Sequence, residues 1–270
     1  MKKTNKNLWK LGAAALGGAA AYHLLSAITR DRIIEHKNIS IRSGKITAEL
    51  YGYKIAFIAD THYVSNQNLR DAVHQVRARR PDLLLLGGDF AHEREAVGRQ
   101  LEIIGAVQPP DGIYGVSGNH DNQAMLREEM EARSMTLLEN TGVSVKNRLY
   151  LCGVEDILKG KPDTARAAEH AKEEDFTLLL SHNPDVSMQY PMSKVDLMLS
   201  GHTHGGQMSL FGVYAPALSF ISDYGQKFRS GQVLARGKTV YVSRGVGNHR
   251  HLFRILSQPQ ILYLTLKGNE

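Results

Sequence analysis

The chain has almost no cysteine. Of 270 residues only Cys152 carries a thiol, so no intrachain disulfide can form and a cysteine-built zinc site is excluded. Basic runs are also missing from most of the chain. The formal net charge is +6, but the first 40 residues hold seven Lys/Arg against two Asp/Glu, a net of +5. Residues 41–270 hold 26 Lys/Arg and 25 Asp/Glu. No cluster of Lys/Arg interleaved with aromatics occurs there, so no nucleic-acid partner is expected. There is no internal repeat, and no low-complexity tract beyond the N-terminus. What remains is an ordinary globular composition, 42% apolar and 22% charged, in a length that suits one large domain or two small ones.

Residues 1–35 read as a basic and hydrophobic segment ahead of a body over 36–270. Lys2, Lys3, Lys6 and Lys10 precede an Ala- and Gly-rich stretch over 11–28, with Leu16, Leu24, Leu25 and Ile28 as its larger apolar members. Arg30, Asp31 and Arg32 end it. A spanning helix takes roughly 20 apolar residues, so this stretch is at the short end. The expectation is a single uncleaved membrane anchor, with the basic flank placing the body outside the cell. Arg30 and Arg32 pull against that orientation. Two alternatives stand: a signal peptide cleaved near Ala19-Ala20-Ala21, which would release the body, and an Ala-rich helix lying on a surface. No twin-arginine pair occurs in the segment.

The body alternates strand and helix patterns. A polar link over 36–44 leads to an apolar run over 53–59 that ends at Asp60. Leu69, Val73 and Val76 share a helix face over 67–80, stopped by Pro81. The run over 82–86 is the next strand and ends in Gly87-Gly88-Asp89. Val97, Leu101 and Ile104 mark a second helix. Residues 112–116 lead into Gly118-Asn119-His120-Asp121, and Leu126 and Met130 mark a third helix. Further strands are predicted at 143–152, 176–180, 195–199, 232–235, 239–243 and 260–266, with a helix over 164–173 capped by Asp163. Strand–helix alternation is the pattern of a layered α/β domain, and the strand content after 143 points to a second sheet.

Five polar blocks sit just after apolar runs, where loops converge beyond the carboxyl ends of strands. Asp60-Thr61-His62 would place a carboxylate and an imidazole on one side of an extended segment. Gly88-Asp89 offers a carboxylate with two oxygens, able to bridge two cations. Asn119 offers a neutral amide oxygen, and His120 a proton donor. His182 follows in Ser181-His182-Asn183-Pro184. His202 and His204, at i and i+2 between glycines, form the strongest single signal. Hard oxygen and imidazole ligands without thiolate suit Mn, Fe or Zn. Two such cations roughly 3.5–4 Å apart form the arrangement used for displacement at phosphorus.

Taken in order, these blocks resemble the calcineurin-like metallophosphoesterase superfamily over residues 53–206. The wording of residues 181–185 and 200–207, and of 242–247 in the tail, is similar to its bacterial membrane-associated branch, which includes phosphodiesterases and relatives acting on UDP-diacylglucosamine. The resemblance implies a four-layer αββα sandwich of two mixed β-sheets. It implies that Asp60, His62, Asp89 and His204 hold one metal, and that Asp89, Asn119, His182 and His202 hold the other. His120 would be the catalytic histidine, and a metal-bridging hydroxide the nucleophile. That branch often has Asp-Leu-His in the first block; Thr61 alters no ligand atom. The expected function is phosphodiester hydrolysis on an envelope-related or lipid-linked substrate. A phosphomonoesterase or nucleotide-sugar pyrophosphatase is the alternative on the same site, and a non-catalytic tethered binding protein the outlier. Arg244, His249, Arg250, His251 and Arg254 form a basic cluster that could clamp a phosphate or could be a solvated loop. Tyr224 and residues 211–220 could form a lip for a lipid or base, or could pack in the core.

Overall fold

The computed structural model describes residues 2–30, 33–249 and 253–268. Helix α1 (Lys2–Arg30) precedes the body. Among the described residues no helix is long and apolar enough to cross a membrane. The anchor expected over 11–28 falls partly on side chains outside the described residues, at 23, 24 and 26–28.

The body runs β1 (Glu35–Arg42), β2 (Lys54–Ile58), α2 (Asn66–Ala78), β3 (Leu83–Leu86), α3 (Arg94–Gly105), β4 (Ile113–Gly115), α4 (Gln123–Glu131), β5 (Thr136–Leu137), β6 (Thr141–Lys146), β7 (Leu149–Gly153), α5 (Thr164–Ala167), β8 (Phe176–Leu180), α6 (Val186–Gln189), β9 (Leu197–Ser200), α7 (Leu218–Ile221), β10 (Gly231–Ala235), β11 (Lys238–Val242) and β12 (Gln260–Lys267). Two six-stranded sheets form, in the orders β1-β12-β2-β3-β4-β5 and β10-β11-β9-β8-β7-β6. In the first, β2 through β5 are parallel and β12 is antiparallel to β2. In the second, β7, β8, β9 and β11 are parallel, with antiparallel strands at both edges.

Strand alternation builds the layers. Ile55 and Phe57 of β2 and Leu83 and Leu85 of β3 face Leu178, Leu180, Leu197 and Leu199 across the sheet interface. Ala56, Ile58, Leu84 and Leu86 face the other way, against Leu69, Val73, Val97, Leu101 and Leu126 of the helices. Leu179 and Met198 of the second sheet turn outward onto Ala167, Val186 and Phe228. The expected four layers, helix on sheet on sheet on helix, are what the core contains.

Three expectations change. The polar link over 36–44 is mostly strand β1, parallel to β12. It is an edge strand that buries only Ile39 and Ile41, so its polar half masked the alternation. The strand expected over 143–152 is the hairpin β6–β7, turning at Asn147 and Arg148, the latter with φ +67°. Asp163 does cap α5, accepting the Arg166 N–H at 2.9 Å, but the helix has a single turn. Ala167 in it and Ala168 and Ala171 just beyond it are the buried apolar residues of the predicted span, too little surface to hold further turns.

Leu85 is fully buried between the sheets. Leu85→Ala is expected to cost about 2–5 kcal/mol, read as a lower urea midpoint at unchanged m-value.

Candidate metal centre

Six strand ends meet at one edge of the sandwich. Strands β2, β3 and β4 are parallel, as are β8, β9 and β11. Their carboxyl ends deliver Asp60, Asp89, Asn119, His182, His202 and residues 243–248 to the seam between the sheets. Cross-seam hydrogen bonds lock the ends together. Val246 N–H donates to Ala59 O at 2.9 Å and Asn248 N–H to His62 O at 3.1 Å. His182 Nδ1 donates to Gly87 O at 2.7 Å.

The loops are sharply turned. Asp60, Asp89, His202 and His204 have φ values of +52°, +56°, +70° and +49°. Asp60 and His62 thus converge by a turn rather than by the strand alternation expected for them. Left-handed conformations in non-glycine residues carry strain and cluster at functional sites. Two glycines permit the close approach. Gly88, at φ +83°, has no room for a Cβ, which would lie 2.6 Å from Gly118 N. A Cβ on Gly245, at φ +68°, would lie 2.5 Å from that of Asp60.

One ligand set is well defined. His182 Nε2 lies 3.3 Å from Asp89 Oδ2, 3.2 Å from Asn119 Oδ1 and 3.2 Å from His202 Nδ1. Ligand atoms of Asp89, His182 and His202 all fall within 4.8 Å of one another. The far nitrogens of both rings are held by carbonyls, His182 by Gly87 and His202 by Ile221 at 3.1 Å, which fixes the inward faces. Beside this set, the Nε2 atoms of His62 and His204 lie 2.9 Å apart, and His204 Nε2 is 3.7 Å from Asp60 Oδ1. Asp60 Oδ2 and His62 Nδ1 are buried without a hydrogen-bond partner. Buried acceptors converging in this way fit divalent cations.

The electrostatics agree. Burial pushes Asp60 up to about 7. Burial pushes Asp89 up too, but the charge and hydrogen bond of His182 outweigh it and hold Asp89 below the usual carboxylate range. His182 itself is pushed down by burial and more strongly up by Asp89, so it is held well above an ordinary imidazole. Desolvation lowers His62 and His202 to about 3 and His204 well below its normal value. One imidazolium, His182, stands where neutral ligands would face a cation.

Other residues brace the ligands. The Asp121 carboxylate accepts the N–H groups of Asp89, Phe90 and Gly118, each at 2.8 Å, joining the second and third blocks. Asp121 leaves the α4 cap to Asn122, which accepts the Met125 N–H. Thr61 donates to Gln100 Oε1 at 2.9 Å, and Gln100 Nε2 donates back to Thr61 O at 3.1 Å. Thr61 is therefore more than neutral here: it anchors the first block to α3.

His120 stands at the mouth of a cleft of about 370 Å3, lined also by Asp89, Asn119, His202, His204 and His249. Its backbone N–H donates to Asp89 Oδ1 at 2.9 Å. His92, unnoticed in the sequence because a lone histidine after the second block has no pattern, places its ring centroid 5.7 Å from that of His120. The basic cluster divides. His249 lines the cleft, whereas Arg250 and His251 lie outside the described residues. Arg244 pairs with Glu35 and donates to Gln258 O. Arg254 is fully buried. Its guanidinium donates to the carbonyls of Gly247, His204, Ser257 and Arg244 and to His204 Nδ1. Arg254 is not among the residues lining the cleft and holds His204 through Nδ1. Tyr224 packs edge-on against Phe228.

The profile of the calcineurin-like phosphoesterase family matches residues 53–206, and the chain belongs to that family. It is 27% identical to the uncharacterized metallophosphoesterase YkuE of Bacillus subtilis, over 95% of this chain and 93% of that one. It is 30% identical to phosphodiesterase YaeI of Escherichia coli, over 79% of this chain and 82% of the relative. A Danio rerio transmembrane protein with a metallophosphoesterase domain is 26% identical, over 92% of this chain and 60% of that protein. The class is therefore a metal-dependent hydrolase of phosphoesters.

Asp121→Asn would set an amide N–H against backbone donors, and should weaken metal retention or activity about 10–100-fold, measured by metal analysis after dialysis. Asp60 must lose a proton to bind a cation below about pH 7. Manganese affinity should therefore rise with pH, about tenfold per unit for each proton displaced, measured by equilibrium dialysis between pH 6 and 8.

Proposed function

We propose that this protein is a phosphodiesterase with two divalent cations, manganese among the suitable ones, acting on an envelope-related or lipid-linked substrate. The observation that carries the two-metal reading is the convergence of Asp89 Oδ2, Asn119 Oδ1 and His202 Nδ1 on His182 Nε2, beside a second set of Asp60, His62 and His204. Asp89, with Oδ2 toward His182, would be the ligand shared by both cations in this reading. The phosphodiester preference draws on the name of the E. coli relative. The membrane setting draws on the basic N-terminal segment and on the name of the zebrafish relative.

When bound, the cations supply Lewis-acid charge to the phosphoryl oxygens and make water a nucleophile near neutral pH. The protein's own groups do the rest. The Gly87 and Ile221 carbonyls hold the ring orientations of His182 and His202. Asp121 holds the turn that carries Asp89. The exposed ring of His120 faces the cleft, where its N–H can stabilise charge on a phosphoryl oxygen and protonate the leaving oxygen. His249 borders the same space and is a substrate contact in this reading.

Hydrolysis of bis(p-nitrophenyl) phosphate with added manganese tests the proposal. Asp89→Ala should abolish turnover and bound metal together, and wild-type turnover in that variant overturns the assignment. His120→Ala should lower kcat about 10²–10⁴-fold with metal content intact. Parallel assays on p-nitrophenyl phosphate and a nucleotide sugar separate diesterase from monoesterase and pyrophosphatase activity.

A further inference from the structure

Residues 208–221, after the last ligand block, read Met-Ser-Leu-Phe-Gly-Val-Tyr-Ala-Pro-Ala-Leu-Ser-Phe-Ile and hold no charge. Leu218 and Ala215 are buried, but Met208, Leu210, Phe211, Val213, Tyr214 and Phe220 are exposed, Phe211 by 75%, Val213 by 70% and Phe220 by 93%. Single exposed apolar side chains are ordinary on a soluble surface, whereas a contiguous group marks a contact.

The segment is a built protrusion. Ser209 N–H donates to Ile255 O at 2.8 Å, Arg229 Nη1 to Gly212 O at 2.8 Å, and Gln226 brackets Ala215 with bonds to its N–H and carbonyl. The backbone is held from the body while the apolar tips point away from it. The protrusion also borders the metal cleft, which Met208, Ala217, Phe220 and Ile221 line on one side.

The root of the N-terminal segment lies close by. Gln258 Nε2 donates to Ile33 O at 2.9 Å, and Glu35 pairs with Arg244. The Arg244 stem would lie 2.9 Å from a Cβ at Gly205, and Ala215 sits against the next residue, Gly206. One turn, His204–Gly206, thus has Arg244, the partner of Glu35, on one side and the apolar protrusion on the other.

We propose that residues 208–221 dock on an anionic lipid surface and present the mouth of the metal cleft to it. This rests on the membrane setting proposed above. Lipid fits better than a second copy of the chain, because the first 40 residues carry a net +5. Such a segment is attracted to anionic headgroups, whereas pairing two copies through this face would bring like charges together. Exposed Trp9, Leu11 and Leu16 on α1 add apolar contact to the same surface.

The test uses the full-length protein and vesicles of phosphatidylethanolamine with phosphatidylglycerol. Cys152 is buried, and burial pushes its thiol up to about 12, so a cysteine placed elsewhere can be labelled selectively. An environment-sensitive fluorophore on Val213→Cys should shift to the blue on vesicle addition. The same label on Leu234→Cys, an exposed site on β10, should not. Phe211→Ser with Val213→Ser should lower the vesicle-bound fraction about fivefold or more. Neither residue lines the cleft, so turnover of soluble bis(p-nitrophenyl) phosphate should stay within about twofold.

Protein that sediments with vesicles without a change at position 213 overturns the proposal, since α1 alone would then make the contact. A blue shift that grows with protein concentration and needs no vesicles also overturns it, in favour of a second copy. Failure to sediment at all removes the membrane setting and this surface together. Vesicle docking through position 213 with no diester hydrolysis supports the surface while removing the proposed reaction.

Discussion

Two carboxylates, Asp60 and Asp89, are buried at the seam between the sheets, and much of the surrounding structure answers their charge. A buried carboxylate is costly unless donors or a cation compensate it. Asp60 receives the His202 N–H and Asp89 the His120 N–H, each at 2.9 Å. His182 supplies the positive charge nearest to Asp89. These contacts bind loops from both sheets to the same two side chains, so the seam and the candidate metal centre are one construction.

The architecture makes that gathering compatible with a tight core. Parallel neighbours put their carboxyl ends on one edge, so an apolar run of four or five residues can be buried on both faces and still release a polar residue at its end. Leu83–Leu86 and Leu197–Ser200 are such runs. The turns after them are tight enough that Gly88 meets the Gly118 backbone and Gly245 meets Asp60. Packing density and ligand geometry therefore depend on the same positions.

Much of this was legible in the sequence. The helix faces of α2, α3 and α4 and the buried strands β2, β3, β8 and β9 follow from apolar spacing. The five polar blocks stood out because each ends such a run. The less legible parts share a cause. Strand β1 looked polar because an edge strand buries one face. Asp121 carried no assigned role because two of its three acceptor contacts reach residues 31 and 32 positions away. Arg254 resembled a surface cation because nothing local reveals that its partners are carbonyls brought together from residues 204, 244, 247 and 257.

The sequence alone determined the layered α/β class, the ligand residue types and their order along the chain, since these depend on local periodicity and on the chemistry of single side chains. Tertiary structure decided which of those side chains share a cation-sized space, which basic residues face the cleft and which support it from behind, and that Phe211, Val213 and Phe220 are exposed while Ala215 and Leu218 enter the core. The physical reason is range. Hydrophobic spacing acts within a turn or a strand, whereas ligand convergence, burial of charge and exposure of an apolar surface are set by segments more than a hundred residues apart, as when the His202 N–H meets Asp60 across 142 positions.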